Sequence, residues 1–285
     1  MSALSDSYLF CDRIARTRAR NFYAAFRFLP KERRLTLSAF YAFCALSDDI
    51  SDAGSGLTVA ERRRNLADWR SSLDACFHGR ADGPVFAALS DAIPKFNLPR
   101  EPFDDLLRGI EMDLESCRYP TFADLQVYCR CVASSVGKVS VRIFGCDGDG
   151  ADRYADNLGI AFQLTNIIRD LAEDVRANRF YLPLADLERF GYAEEDLRSA
   201  VYDQRFMELM QFQYDRARSY FQSADPSLAG GQACRLFPAE IMKAVYRRTL
   251  EEIRRRRFRI FDRRIKAPWY GKARVIAQIV SRNML

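Results

Sequence analysis

The chain has 285 residues, of which 48% are hydrophobic and 29% charged. This composition provides material for a substantial core and argues against an intrinsically disordered chain. The formal net charge of +6 is compatible with anionic ligands, a membrane surface or nucleic acid, and it does not choose among them.

A helical period runs through nearly every long segment, which predicts an all-α protein. Thr58 and Glu61 have the spacing of a capping box at the start of one helix. No long flexible linker interrupts the pattern, so we expect one domain over residues 1–285. In chain order, the predicted helical regions are residues 4–28, 31–52, a helix from Val59, 84–93, 101–116, 122–144, 152–177, 186–190, 194–224 and 238–260.

The numbers of histidines and cysteines limit which kinds of catalysis and metal binding are available to the chain. His78 is the single histidine, which argues against histidine-based catalysis and histidine-rich metal sites. Eight cysteines without paired CxxC spacing are typical of reduced thiols, so we predict a cytoplasmic protein. No apolar run approaches the roughly 20 residues needed to cross a bilayer, and any membrane contact should be peripheral, at the inner face of the membrane.

The stretch from Gln163 to Pro183, QLTNIIRDLAEDVRANRFYLP, contains an unusual polar row. Gln163, Asn166, Asp170 and Asp174 are spaced by three, four and four residues and therefore share one helix face. Asp170 and Asp174 would lie one turn apart with adjacent carboxylates, an arrangement that a divalent cation would relieve.

A second stretch, YAFCALSDDISD, repeats this arrangement with Tyr41, Ala45, Asp48 and Asp52 on one face. Either pair alone could be a solvated acidic helix face. Two such pairs facing a common cavity would form an oxygen-rich site, which suits Mg²⁺ better than zinc or copper, and Mg²⁺ commonly bridges to phosphate oxygens.

Apolar and basic residues complement the aspartates. Phe22 and Phe26 lie one turn apart, and Val132, Val136 and Val139 form a stripe after Tyr128; these are either core residues or the lining of a hydrocarbon site. Arginines suit bidentate binding of phosphate oxygens, and we expect one or two of the C-terminal arginines to reach the site. The candidates are Arg18, Arg20, Arg169, Arg176, Arg179, Arg247, Arg248, Arg254 to Arg257, Arg259, Arg263 and Arg264.

Four motifs resemble the squalene and phytoene synthase family of head-to-head prenyl diphosphate synthases. They are NFYAAFRFLP with YAFCALSDDISD, IEMDLESCRYPTFADLQVYCRCVASSVGKVSVRIFG, LGIAFQLTNIIRDLAEDVRANRFYLP and VYRRTLEEIRRRRFRIFDRRIKAP. The resemblance implies an all-α isoprenoid-synthase fold around a central cavity. It also implies two aspartate motifs that bind Mg²⁺ and the diphosphates of two allylic substrates, with Mn²⁺ as a possible substitute.

The resemblance assigns roles by position. The implied metal ligands are Asp48, Asp52, Asp170 and Asp174, with Asp49 as an auxiliary ligand. The implied catalytic residues facing the cavity or a diphosphate are Tyr41, Tyr128 and Tyr246. The implied substrate-binding residues are Arg18, Phe22, Phe26, Val132, Val136, Gln163, Asn166 and Arg263.

One position departs from the family pattern. The family has arginine before its first aspartate motif, as in YAFCRxxDD, where this chain has Ala45. We expect Arg18, Arg20 or Lys138 to supply the missing charge.

The leading interpretation is condensation of two farnesyl diphosphates to presqualene diphosphate, or on to squalene, because VASSVGKVSVRIFG resembles the bacterial hopanoid-pathway branch. The alternative enzyme is a phytoene synthase acting on geranylgeranyl diphosphate. A basic helical scaffold that binds anionic membranes or nucleic acid is the non-enzymatic alternative.

Cofactors and partners follow from the enzymatic interpretation. No G-x-G-x-x-G motif is present, so NADPH has no recognisable site and its use stays open. We expect prenyl diphosphate substrates, no nucleic acid, peripheral membrane contact through the basic C-terminal region and downstream isoprenoid enzymes as partners. The sequence does not fix the oligomeric state.

Overall fold

The computed structural model describes residues 3–18, 23, 25–51, 56–115 and 117–262. An isolated parallel bridge joins Arg118 to Phe180, and the described ranges contain no β-strand. The predicted all-α class is confirmed. The helices are α1 Ala3–Arg18, α2 Lys31–Ser51, α3 Val59–Phe77, α4 Gly83–Lys95, α5 Glu101–Asp113, α6 Phe122–Cys129, α7 Ser135–Phe144, α8 Gly148–Arg176, α9 Leu184–Arg189, α10 Glu194–Arg198, α11 Gln204–Ser223 and α12 Phe237–Arg255. A π-helical turn, Arg130–Ser134, joins α6 to α7, and a 3₁₀ segment, Pro226–Leu236, precedes α12.

Side-chain caps set several helix starts. Thr58 Oγ1 accepts a hydrogen bond from the Glu61 amide at 3.2 Å, and Glu61 Oε2 accepts one from the Thr58 amide at 2.8 Å. This capping box confirms the predicted start of α3. Thr121 and Asp124 form a second box at the start of α6. At the other end of the next helix, Gly145 closes α7 with a φ of 87°, a left-handed cap that glycine adopts without steric cost.

The predicted continuous helix over 194–224 is wrong. Helix α10 ends at Arg198, and the chain then turns through Ala200, whose φ is 51°. Asp203 Oδ1 accepts a hydrogen bond from the Phe206 amide at 3.0 Å and starts α11 as a new helix. The apolar spacing runs across this break without glycine or proline to mark it. In the predicted region 4–28, α1 ends at Arg18, and residues 23, 25 and 26 are again helical.

The 29-residue helix α8 is the centre of the molecule. It packs against α7, α11, α12 and the π-helical turn, while α2 packs against α1, α4 and α5. All eight cysteines lie in the described ranges, and seven of them are buried, which agrees with the predicted mostly buried thiols. Among the described helices, none is both long and apolar enough to cross a membrane.

Glycine brings α8 unusually close to the π-helical turn. A Cβ on Gly159 would lie 2.5 Å from Ser134 N and 2.6 Å from Ser134 Cα, both backbone atoms that cannot rotate away. On the opposite side of the turn, a Cβ on Gly109 of α5 would lie 2.5 Å from Val132 Cγ1. Both α5 and α8 therefore pack closely on the turn, and each can do so because glycine has no side chain at the point of contact.

We expect Gly159→Ala to lower the free energy of unfolding by about 1–3 kcal/mol, because the added methyl group must displace the backbone of Ser134. Thermal unfolding followed by circular dichroism measures the loss. Gly231→Ala is the matched control, because a Cβ there meets no atom within 4 Å. Equal losses in the two variants would contradict the close-packing explanation.

Candidate active site

A cavity of about 470 Å³ lies between α2, α5, α6, α7, α8 and α12. One end is largely apolar and the other carries the charged and amide side chains. Helix α2 contributes Leu37 to the apolar end and Asp48 to the polar end, and α8 likewise contributes Tyr154 and Asn166. At 1.5 Å per residue, these pairs are separated by roughly 16–18 Å along their helices. The cavity is therefore long, with its chemistry concentrated at one end.

Ten of the predicted site residues line this cavity. They are Arg18, Phe26, Tyr41, Asp48, Tyr128, Val132, Val136, Gln163, Asn166 and Tyr246. Three other predicted residues, Phe22, Asp52 and Arg263, lie outside the described residues, so their roles stay predictions. Asp170 and Asp174 follow Asn166 by one and two turns on α8 and are not part of the cavity lining.

Asp48 lies at the polar end, reachable by solvent but closely surrounded by protein. Loss of hydration and the negative charges of Asp113 and Asp49 raise its pKa to about 7, and the nearby Arg18 guanidinium opposes the shift. Arg18 itself forms an ion pair with Asp49. A carboxylate in this setting gains stability from any cation that enters the polar end.

Asp170 and Asp174 have different surroundings although they are one turn apart. Arg169 binds Asp170 through two contacts, one of them from Nε to Oδ1 at 2.8 Å. Burial, followed by the charge of Asp170, raises the pKa of Asp174 to about 7, and Arg179 opposes this shift. The second aspartate pair therefore combines one carboxylate neutralised by arginine with one that holds its proton unusually well.

Sequence reasoning missed Asp113, which lines the cavity and interacts electrostatically with both Asp48 and Asp174. Its Oδ1 accepts a hydrogen bond from Tyr181 Oη at 2.9 Å, and its Oδ2 accepts one from Tyr128 Oη at 3.1 Å. Burial raises the pKa of Asp113, whereas these hydrogen bonds oppose the increase. One signal was available: Asp113 continues the buried stripe Phe103, Leu106 and Ile110 of α5, where an apolar residue is expected.

Tyr246 is part of a second polar cluster. Its ring stacks on Phe162 with a centroid distance of 4.2 Å, and its hydroxyl hydrogen-bonds with Asn166 and Arg169. Gln163 Oε1 accepts a hydrogen bond from Asn166 Nδ2 at 3.4 Å. Asn166 Oδ1 is buried and has no hydrogen-bond partner among the described residues. A buried carbonyl oxygen left in this state is a ready ligand for a hard cation.

The wall opposite α8 is aromatic near Tyr41. Phe26 is 2% exposed and its ring centroid lies 5.0 Å from that of Tyr41, so the two rings narrow the cavity together. Ala45 also lines the wall and adds no charge. Of the three residues expected to compensate for Ala45, Arg18 lines the cavity, Lys138 lies near Asp105 outside the lining, and Arg20 lies outside the described residues.

The donor set suits Mg²⁺ only in combination with other ligands. The described part of the chain contains no ready-made group of three metal-binding side chains. Asp48 and Asp174 have raised pKa values, and Asn166 Oδ1 lacks a partner, so these oxygens would each be stabilised by a cation. Mg²⁺ in proteins commonly uses one or two carboxylates and completes its shell with water and phosphate oxygens. The residues fit an ion that arrives with a phosphorylated ligand.

The fold and the cavity define an all-α isoprenoid synthase. Residues 15–271 match the family model for squalene/phytoene synthase, and the chain belongs to that family. It is therefore a head-to-head prenyltransferase. Membership favours the enzymatic interpretation over the non-enzymatic scaffold.

Named relatives and solved structures refine this placement. The chain is 36% identical to a phytoene synthase from Arthrospira platensis, over 94% of this chain and 90% of the relative. It is 34% identical to a 15-cis-phytoene synthase from Synechocystis, over 94% and 82%. A ligand-bound dehydrosqualene synthase superposes with a TM-score of 0.87 at 27% identity, over 98% and 97% of the two chains. A squalene synthase from Alicyclobacillus acidocaldarius gives 0.80 at 31% identity, over 90% and 95%.

The raised pKa of Asp48 predicts how the stability of the metal-free protein depends on pH. A carboxyl group with a higher pKa in the folded chain binds more protons when folded, so stability falls as the pH rises from about 4 to about 7. In a chelating buffer, Asp48→Asn should raise the melting temperature at pH 8 and change it little near pH 4. The exposed Asp68→Asn serves as control, and a shift independent of pH in Asp48→Asn would contradict the assignment.

Proposed function

We propose that this enzyme is a phytoene synthase that joins two molecules of geranylgeranyl diphosphate head to head through prephytoene diphosphate. The observation that supports this choice is identity of 32–36% to named phytoene synthases over 92–98% of the chain. It favours the alternative substrate over the farnesyl diphosphate that the VASSVGKVSVRIFG segment suggested.

The cavity suits two substrates with charged heads and apolar tails. The apolar end provides aliphatic and aromatic walls for the prenyl chains, including Leu37, Phe144 and Met242. The polar end places Arg18 in the lining, with Arg169 and Arg179 close to the second aspartate pair, where they can offset the charge of the diphosphates. Each substrate would therefore lie with its diphosphate at the polar end and its prenyl chain at the apolar end, and its reactive carbon would lie between them.

Enzymes of this family typically use Mg²⁺. Asp48, Asp174 and Asn166 Oδ1 would hold the ion together with substrate oxygens, and the predicted ligands Asp52 and Asp170 would complete the two motifs. When bound, Mg²⁺ supplies positive charge that stabilises the departing diphosphate.

The chain's own residues then protect the allylic cation that remains. The rings of Phe26, Tyr41, Phe162 and Tyr246 line the cavity as two packed pairs, Phe26 with Tyr41 and Phe162 with Tyr246. A cation over an aromatic face gains about 0.5–2 kcal/mol per contact, so these rings guide the cation and exclude water but do not replace the charges at the polar end. Tyr41, Tyr128 or Tyr246 would accept the proton lost during ring closure.

Atom balance separates the possible products. Joining two geranylgeranyl groups with loss of two protons gives phytoene, so no reductant is consumed. Formation of squalene from two farnesyl groups loses one proton and gains a hydride, which requires NADPH. The proposed function therefore needs no nicotinamide cofactor.

Farnesyl diphosphate condensation is the second candidate, with presqualene diphosphate or squalene as product. The close fit to a dehydrosqualene synthase and to a squalene synthase favours it. So does Phe26, whose buried ring would shorten the space for a prenyl chain. The cytoplasmic location, membrane contact and downstream enzyme partners remain predictions.

Incubation of the enzyme with each prenyl diphosphate and Mg²⁺, followed by mass spectrometry, tests the substrate. We expect a C40 hydrocarbon from geranylgeranyl diphosphate without NADPH, and a kcat/KM at least about tenfold above that for farnesyl diphosphate. The reverse preference would establish the second candidate. No product from either substrate would overturn the proposed function.

Asp174→Asn should lower turnover at least about 100-fold, because it removes a charge that holds the cation beside the leaving group. It should also abolish the increase in melting temperature that Mg²⁺ with inorganic diphosphate gives the wild type, a measurement independent of turnover. Asp68→Asn should leave both properties unchanged. Full retention of the Mg²⁺-dependent stabilisation in Asp174→Asn would contradict the assigned role.

A further inference from the structure

Asp113 accepts hydrogen bonds from three side chains at the polar end of the cavity. The donors are Tyr181 Oη at 2.9 Å, Tyr128 Oη at 3.1 Å and the more distant Cys117 Sγ at 3.6 Å. Both tyrosine hydroxyls donate to Asp113, whose carboxylate form only accepts hydrogen bonds, and Tyr128 Oη also lies 3.5 Å from Tyr181 Oη, farther than from Asp113 Oδ2. The oxygen lone pairs of Tyr128 consequently point away from Asp113, and Tyr128 lines the cavity.

The position of Tyr181 is fixed by its backbone. The Phe180 amide donates to the Cys117 carbonyl at 3.1 Å, and the Leu184 amide donates to the Tyr119 carbonyl at 2.9 Å. These bonds join the segment after α5 to the segment after α8. The Tyr181 ring also lies nearly parallel to that of Tyr128, with centroids 5.3 Å apart. Asp113 is thus hydrogen-bonded to two tyrosines whose rings are stacked on each other.

We propose that Asp113, supported by Tyr181, orients Tyr128 for proton abstraction and receives the Tyr128 hydroxyl proton during ring closure. The inference rests on the proposed head-to-head condensation. It makes Asp113 a positioning residue and proton acceptor that acts through Tyr128.

The proposed ring closure conserves atoms, electrons and charge. Carbon C1 of the ionised substrate bonds to C2 of the second substrate, which leaves the positive charge on C3. The C1–H bond then breaks, and its electron pair forms the C1–C3 bond that closes the cyclopropane. Tyr128 Oη takes the proton from C1 as its own proton passes to Asp113 Oδ2. The carbocation and the carboxylate are neutralised together, and no external reagent is consumed.

Two other tyrosines of the cavity, Tyr246 and Tyr154, lack this combination of position and partner. Tyr246 hydrogen-bonds with the cationic Arg169, which cannot accept a proton. Tyr154 does donate to a carboxylate, Glu240 Oε1 at 2.6 Å, but it lies 12 residues before Asn166 on α8, roughly 18 Å from the polar end. The Tyr154–Glu240 pair therefore provides a control with the same chemistry at the wrong end of the cavity.

Substrate deuterated at C1 separates proton abstraction from folding and from ionisation. Asp113→Asn keeps the shape but removes the proton acceptor, and its amide can donate to Tyr128 and reverse that hydrogen bond. We expect kcat to fall about 100-fold or more, with a smaller change in KM, because the contribution of a general base is lost. The isotope effect on kcat should increase above that of the wild type, since proton transfer becomes rate-limiting.

Two further variants keep the test decisive. Tyr181→Phe should lower kcat less than Asp113→Asn and increase the isotope effect in the same direction, so it answers the question if Asp113→Asn does not fold. Glu240→Gln should leave the isotope effect at the wild-type value. Asp113→Glu, which retains a carboxylate, should recover part of the activity lost in Asp113→Asn.

Specific outcomes would overturn the inference. One is Asp113→Asn activity within about threefold of the wild type. Another is an unchanged isotope effect together with a higher Mg²⁺ requirement, which would make Asp113 part of the cation site instead. Both outcomes are read against a wild type that is active with a prenyl diphosphate. Failure of the proposed function is a different result, because the wild type would then give no product from any substrate.

Discussion

Repulsion among carboxylates at one end of an apolar cavity is the constraint on which the site depends. Asp48, Asp113 and Asp174 come from three different helices and interact electrostatically although they carry like charges. The packing of α2 against α5, and of α5 and α8 against the π-helical turn, must hold them together against this repulsion and against the loss of hydration. Loss of hydration, followed by this repulsion, raises the pKa values of Asp48 and Asp174. An apolar core therefore maintains a polar site that becomes favourable only when a cation and its diphosphate enter.

The same packing explains why the cavity stays open and narrow. Helix α8 approaches the π-helical turn through Gly159, and α5 approaches it through Gly109, so the wall containing Val132 is held from both sides. Turns of this type occur often at functional sites because they alter which side chains face inward. Here the altered wall includes Val132 and Ala133 in the cavity lining. The close packing of α5 and α8 against the π-helical turn therefore also sets the shape of this cavity wall.

Much of the fold could be predicted from the sequence, because helical periods and capping residues act locally. The Thr58 box and the bounds of most helices followed from that local chemistry. The break before Asp203 did not, because the apolar pattern continues across it and the turn depends on a left-handed Ala200. Asp113 was missed because its partners Tyr128 and Tyr181 are distant in sequence. The spacing of Asp170 and Asp174 places them on one helix face, and the metal-binding role of the aspartate pairs stays a prediction.

The arrangement of the cavity along its helices separates two properties of the enzyme. Helices α2 and α8 each carry their reactive end and their apolar end more than three turns apart. A substitution near Leu37 or Tyr154 can therefore change the depth available to a hydrocarbon chain without disturbing the carboxylates near Asp48 and Asn166. Point mutations at the apolar end can therefore change the length of the product while the reaction stays the same. Related enzymes with this fold can differ in chain length and share the same diphosphate chemistry.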